Sequence, residues 1–362
     1  MASTRWRYFD YVLLAVTVAL IALGVVMIYS ATSSTPDLGD LAQRQLIYGL
    51  GGLVLMLVTS LIDYRLLSSL GLVLYLITLG ILGVVFILGQ VLVGAQRWLD
   101  IGLSIQPSEL AKILTIIVLA KFLSDHEEDM QRWRYLLMAL GILMPPVVLI
   151  YLQPHLSAAI VLAAVGGVMI FMGGIRWLHL AIMGLAGAAA APVLWFSLKE
   201  YMQQRVMIFL NPASDLAASY NIEQALISIG SGGWVGKGLL RGSQSQLRFL
   251  RVRHADFIFS VIAEELGFVG SMVLLFLLVV MLWRLLRIAD IARDSFGRLI
   301  AVGLVTVIFV QSVINIGMNL HLLPATGIPL PFVSHGGSAL VTLLIGMGLA
   351  QSVSMRHRKI EF

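Results

Sequence analysis

Ten apolar stretches follow one another along this chain, each close to the roughly 20 residues that an α-helix needs to cross a bilayer core of about 30 Å. They run 11–30, 45–62, 68–88, 108–124, 135–152, 156–173, 178–197, 257–284, 299–319 and 337–354. Hydrocarbon offers no partner to a backbone amide, so a stretch of this kind satisfies its own groups by becoming a helix. The expected fold is an all-α integral membrane protein, with ten transmembrane helices in one bundle and residues 1–362 forming a single domain. No fixed-period repeat or low-complexity tether divides it. With 59% hydrophobic and only 12% charged residues, a soluble globule is excluded. The first stretch lacks a small-residue cleavage site and reads as a retained span, not a signal peptide. The absence of cysteine removes disulfides, thiolate metal sites and thiol nucleophiles from consideration.

The net charge of +5 reads as topology and not as a nucleic-acid signature. With a cytoplasmic N-terminus, the inner loops and tails hold thirteen cations: Arg5, Arg7, Arg65, Arg132, Arg134, Arg176, Arg284, Arg287, Arg293, Arg298, Arg356, Arg358 and Lys359. The short outer loops hold two, Arg44 and Arg97. That bias orients both termini to the cytoplasm. It also makes the large loop 198–256, between helices seven and eight, extracytoplasmic, with short interfacial helices expected within it. The Ala and Gly density from Gly184 to Ala191 reads as close helix packing, and Glu127, Glu128 and Asp129 as a solvated, inert loop.

The chemistry is expected around Lys237 to Gly267. Lys237, Arg241, Arg248, Arg251 and Arg253 precede a single acid, Asp256, where the loop meets the next apolar run. The glycine-rich segment 230–242 could cradle a diphosphate through backbone amides, with cations supplying charge; its bland alternative is a flexible turn, and that of the cations is attraction to anionic lipid headgroups. Asp256 either caps the following helix or is a catalytic carboxylate. Asp256, Ser260 and Glu264 are spaced by four, on roughly one helix side, and a polar stripe entering a membrane needs a cavity to face.

Two further clusters point to the same outer vestibule. In residues 94–112, Pro107 and Ser108 mark a helix start, and Glu109 and Lys112 lie three apart on one face. That pair either packs the bundle or serves the site; Arg97 is a candidate headgroup contact. In residues 324–339, three prolines interrupt the backbone, which is tolerated at membrane depth only inside protein or along a wet cavity. Ser334 and Ser338 there are candidate substrate contacts, whereas a lone interfacial His335 reads as structural.

The chain resembles the SEDS family (shape, elongation, division and sporulation) of bacterial cell-wall synthesis over nearly its whole length. The resemblance rests on GAQRW with QPSELAK, QPHLSAA, FLNP, GSGGWVGKG, RHADFIFSVIAEELGFVG and PATGIPLPFVSHGGSA. The tract GIPLPF is closer to the elongation branch than to the division branch. The resemblance implies a peptidoglycan glycosyltransferase that polymerises lipid II, an undecaprenyl-diphosphate disaccharide peptide, on the outer face of the cytoplasmic membrane. Its essential aspartate falls on Asp256, and its conserved Glu and Lys on Glu109 and Lys112. Lys237, Arg241, Arg248, Arg251, Arg253, Ser260, Glu264, Arg97, Ser334 and Ser338 complete the expected substrate contacts. Asp256 would act as general base or as ligand for a divalent cation, Mg or Mn; the sequence leaves both open. The implied partner is a class B penicillin-binding protein. A lipid II flippase and a non-catalytic scaffold for such a partner are the rival classes. His155 and His335 depart from the family pattern, which has Asp and Tyr at those positions.

Overall fold

The computed structural model describes residues 6–35, 38–88, 90–92, 95–100, 104–212 and 215–357, without the side chains of 86–88, 90–92, 95–100, 104–105, 191, 194 and 216–218. It is helical, as the apolar runs require. The long helices are α1 (Tyr11–Thr32), α2 (Leu41–Leu61), α4 (Gly71–Leu88), α5 (Pro107–Asp125), α6 (Trp133–Leu152), α7 (Leu156–Met172), α8 (Trp177–Ser197), α12 (Ile258–Ile291), α13 (Ser295–Asn319) and α14 (Gly337–Met355). Four shorter ones accompany them: α3 (Tyr64–Ser69), α9 (Glu200–Leu210), α10 (Leu216–Ser231) and α11 (Ser243–Gln246). Among the described residues, six helices are long and apolar enough to cross a membrane, and three more apolar ones are shorter.

Local sequence sets several boundaries. Asp10, Asp63 and Asp294 each cap a helix by accepting from a backbone amide two or three residues on, at 2.9, 3.1 and 2.8 Å. Pro107 opens α5, where its missing N–H costs nothing. Between α4 and α5 the expected outer loop is instead a small antiparallel sheet, β1 (Gln90–Leu92), β2 (Ala95–Asp100) and β3 (Ser104–Ile105) in that order. Arg97 lies on β2, and its side chain is outside the described part.

Helix α13 runs through the middle of the bundle, buried along most of its length, and packs on α5, α7, α12 and α14. Lipid tails are as apolar as leucine, so this association rests on close packing and polar contacts more than on the hydrophobic effect. Gly24 shows the closeness: a methyl there would lie 2.6 Å from the Val333 carbonyl. Helix α8 is the exception. Its residues are largely exposed, and methyls added at Gly184 and Gly187 would meet nothing within 4 Å. The close packing expected for the Gly184–Ala191 stretch is not realised, because no partner helix lies against those small residues. The acidic turn is not inert either: Glu127 accepts from Arg298 at 2.6 Å and from Ser295, joining it to the start of α13.

Candidate active site

Asp256 sits in the turn that leads into α12, which begins at Ile258. Each carbonyl of this turn is held by a different donor. The His335 amide donates to the His254 carbonyl at 2.9 Å, and the Ser334 hydroxyl to that of Ala255 at 2.6 Å. Both Asn315 and Asn319 donate to the Asp256 carbonyl at 3.0 Å. The broken backbone 327–336 is therefore joined directly to the Asp256 turn.

Two cavities meet at this aspartate. One, of about 160 Å³, is lined by Glu109, Lys112, His155, Gln311 and His335 as well as Asp256. The other, of about 350 Å³, is lined by Tyr201, Gln204, Arg205, Asn221 and Asp256. Through Tyr201, Arg205 and Ala325 the second adjoins a mostly apolar groove of about 340 Å³ between α7, α9 and the 323–326 segment. A polar chamber thus opens, past a carboxylate, toward a greasy channel.

In the first cavity Lys112 donates to Glu109 at 2.9 Å, with the two side chains only 2% and 5% exposed. Removing either partner of such a pair leaves a buried charge uncompensated. His155 is buried beside them, its Nδ1 within 3.2 Å of the Ser108 hydroxyl and 3.3 Å of the Gln106 amide nitrogen. His254 and His335 stand ring edge to face at 5.9 Å, and the Nδ1 atom of each is buried without a hydrogen bond. Burial, then His254, then Arg44 push His335 down to about 4. His254 is also lowered, by burial and then by Arg253.

The other expected contacts go elsewhere. Ser260 and Glu264 do not share a cavity face with Asp256, which precedes the helix. Ser260 is fully buried and donates to Asn319 Oδ1 at 2.6 Å. Glu264, also fully buried, accepts from Lys237 at 2.8 Å, Ser243 at 3.0 Å and the Gln244 amide at 3.1 Å. Lys237 is therefore committed to Glu264, and the glycine-rich segment packs on α12 through backbone bonds: the Lys237 and Gly238 amides donate to the Glu264 and Glu265 carbonyls at 3.0 and 2.9 Å. A methyl on Gly236 (φ +78) would lie 2.1 Å from the Glu265 carbonyl, so glycine serves close approach there and not a phosphate cradle. Arg253 is 5% exposed and donates to the Ala31 carbonyl at 2.5 Å and to the Thr35 hydroxyl at 2.7 Å, closing the end of α1. Ser334 is consumed by the Ala255 clamp. Arg241, Arg248 and Arg251 are exposed on the loop, with Arg248 donating to the Ser34 carbonyl. Ser338 does line the first cavity.

Four functional candidates escaped the sequence reading: Asn315, Asn319, Gln311 and Arg205. The three amides sit inside an apolar run at i, i+4 and i+8, a spacing that puts them on one helix face and that could have exposed them. Arg205 lies in α9, exposed along both the second cavity and the apolar groove, and donates to the Ala325 and Thr326 carbonyls at 3.3 and 3.2 Å. Nothing in its local sequence marks it.

Residues 11–359 match the family model described as "Cell cycle protein", which covers FtsW, RodA and SpoVE. The peptidoglycan glycosyltransferase MrdB of Escherichia coli K12 is 41% identical, over 99% of this chain and 97% of that one. Stage V sporulation protein E of Bacillus subtilis is 37% identical, over 96% and 98%. Among solved structures, a chain of a peptidoglycan synthase complex superposes with a TM-score of 0.84 at 33% identity, covering 96% of this chain and 98% of that one. The rod shape determining protein RodA of Thermus thermophilus superposes at 0.72 with 31% identity, covering 97% and 98%. The chain belongs to the FtsW/RodA/SpoVE family.

As a member of that family the chain carries two imidazoles of its own in the polar chamber, His155 and His335. The donor set also bears on metals. Among the described residues no three His, Asp or Glu side chains group to cage an ion. A hard cation such as Mg, which keeps its waters and needs one carboxylate plus substrate phosphates, fits a half-buried Asp256; a fully protein-ligated metal does not.

Proposed function

We propose that this chain is a peptidoglycan glycosyltransferase that polymerises lipid II at the bundle end holding Asp256, facing the cell exterior. The sugar 4-hydroxyl of one lipid-linked disaccharide attacks the anomeric carbon of the growing strand. A new glycosidic C–O bond forms as the bond to undecaprenyl diphosphate breaks with inversion. The hydroxyl proton passes to Asp256 acting as general base, an effect worth about a hundredfold to ten-thousandfold. If Mg or Mn binds, Asp256 and the diphosphate oxygens would hold it, and it would neutralise charge on the leaving group.

One observation carries this reading: a carboxylate stands where a polar chamber meets a cavity that leads into an apolar groove. A disaccharide, a diphosphate and a polyprenyl tail need those three environments in that order. Arg205, between the last two, is the cation suited to the diphosphate. Glu109, Lys112 and Ser338 line the sugar side. The proposed topology has ten spans, cytoplasmic termini and the loop 198–256 outside, and the partner is a class B penicillin-binding protein whose single helix docks on the bundle. A flippase would need a polar route to the opposite end, and the three cavities that join near Asp256 are lined by none of the ion-paired residues there.

The test is strand formation from fluorescent lipid II by the purified full chain in nanodiscs, with and without the partner and divalent ion. Activity without any partner rules out a scaffold role. A folded Asp256→Ala protein that polymerises at the native rate would overturn the assignment.

A further inference from the structure

Helix α13 buries two side-chain amides, Asn315 and Asn319, each fully sequestered inside an otherwise apolar run. Polar groups at such depth are costly unless they are used, and here both amide nitrogens reach one atom, the Asp256 carbonyl oxygen, at 3.0 Å each, while Asn315 Oδ1 is buried without a hydrogen bond. Their orientations are fixed by their other partners. Asn315 Nδ2 also reaches the Ile328 carbonyl at 2.7 Å, and Asn319 Nδ2 the Asn315 carbonyl at 2.8 Å; carbonyls only accept, so both atoms must be nitrogens. Asn319 Oδ1 accepts from the Ser260 amide and hydroxyl at 3.3 and 2.6 Å, which pins the same side chain from its other end.

A carbonyl oxygen has two lone pairs, and two donors occupy both. The peptide plane that follows Asp256 cannot turn without breaking both bonds together. Asn315 further ties that plane to Ile328, next to Gly327, whose left-handed backbone (φ +70) borders the carboxylate: a methyl added there would lie 3.5 Å from Asp256 Oδ2. Tilting the clamp would therefore move the carboxylate relative to the wall shared by both cavities.

We propose that Asn315 and Asn319 are the positioning residues of the transfer reaction, holding the Asp256 carboxylate at the junction of the two cavities by gripping its own backbone carbonyl. This rests on the polymerase reading for its kinetic consequence, but the positioning itself is testable apart from it. The chain has no cysteine, so Asp256→Cys places a single thiol at the site of the full chain in nanodiscs. Its modification rate by a small charged methanethiosulfonate should shift at least about fivefold when Asn315→Ala or Asn319→Ala is added. In the native background either substitution should lower kcat per folded molecule about tenfold to a hundredfold, the size expected of a misplacement near 1 Å, with KM within about threefold; Tm should fall as well, because Asn319→Ala strands the buried Ser260 hydroxyl and Asn315→Ala the Ile328 carbonyl.

Because both amides hold one atom, the double variant should fall no more than about threefold below the worse single. If the amide variants fold poorly, Ser334→Ala, which frees the neighbouring Ala255 carbonyl and the Leu330 amide, should show the same kcat-selective loss in milder form. Thiol reactivity unchanged within about twofold, or losses of kcat per folded molecule that are absent or fully additive in the double variant, overturns the proposal. A shifted thiol rate alongside a fully active Asp256→Ala protein would keep the clamp and discard the polymerase assignment of Asp256.

Discussion

The Asp256 turn and the end of the bundle that carries the termini hold their carboxylates differently. At the end carrying the termini, carboxylates are matched to arginines side chain to side chain: Asp10 with Arg284 at 2.6 Å, Asp294 with Arg65 at 3.1 Å, Glu127 with Arg298 at 2.6 Å and Asp63 with Arg356 at 3.4 Å. Most also fasten one helix end to another. At the opposite end the Asp256 turn is gripped through its main chain, the Asp256 carbonyl by the neutral amides of Asn315 and Asn319 and the Ala255 carbonyl by the Ser334 hydroxyl. A main-chain grip sets where a carboxylate stands without drawing on its side-chain oxygens, whereas a carboxylate–arginine pair is itself the fastening. The difference separates a site from a joint where composition alone shows acids and bases at both ends.

The sharpest way to break this contrast is to remove the acid at each end. Asp256→Asn, nearly isosteric, should lower polymerisation about a hundredfold to ten-thousandfold in the lipid II assay while leaving Tm within a degree or two. Asp294→Asn should do the reverse, lowering Tm and leaving the rate per folded molecule near native. Equal losses of rate from both would erase the distinction. Next in size is the pair that belongs to both categories, Glu109 and Lys112. Lys112→Met strands a buried carboxylate and should cost about 3–5 kcal/mol, read as a large fall in Tm. The double variant Glu109→Gln with Lys112→Met should recover most of that stability. If activity returns with it, the pair is a joint; if activity stays lost, it belongs to the site.

Much of this architecture was readable from hydropathy because a membrane helix has one dominant requirement, about twenty apolar residues in a row; each expected run falls on a helix among the described residues, and six of these helices are long and apolar enough to cross a membrane. The small sheet around Arg97 was not readable, since its strands are two to six residues long and their pairing is set by neighbours. The cations of the outer loop misled for a physical reason. Lys237 and Arg253 are basic residues before an acid in sequence, yet one neutralises buried Glu264 and the other closes the end of α1, partners 27 and 222 residues away. Sequence spacing carries local geometry, not such long-range commitments. Conversely, Asn315 and Asn319 were hidden by the hydrophobicity around them, although amides in an apolar helix are the signal that spacing arguments are meant to catch.

Acid should tell the two ends apart by where each begins to fail, with smaller effects than the substitutions above. His335, held near 4 by burial, His254 and Arg44, takes up a proton more readily in the unfolded chain, where its value is near 6.5. The folded state is therefore favoured fully above pH 6.5, loses that advantage as pH falls, and has lost it by about pH 4. One such group accounts for at most on the order of 3 kcal/mol, and the charges that face it are those of Arg44, His254 and Asp256, with Arg253 behind. Glu127 runs the other way: Ser295 and Arg298 hold it below its ordinary 4.5, so its contribution persists until pH drops under that value. Being exposed and screened, its pair should be worth only about 0–1 kcal/mol. Thermal melts of the full chain in nanodiscs should therefore show stability declining first between pH 6.5 and 4. His335→Tyr should shrink that early decline and leave the part due to His254, which is lowered too, and Arg298→Gln should slightly lower stability above pH 4.5 and flatten the fall below it. An early decline that survives the replacement of both His335 and His254 would shift the acid-sensitive joint away from the Asp256 chamber and toward the end that carries the termini.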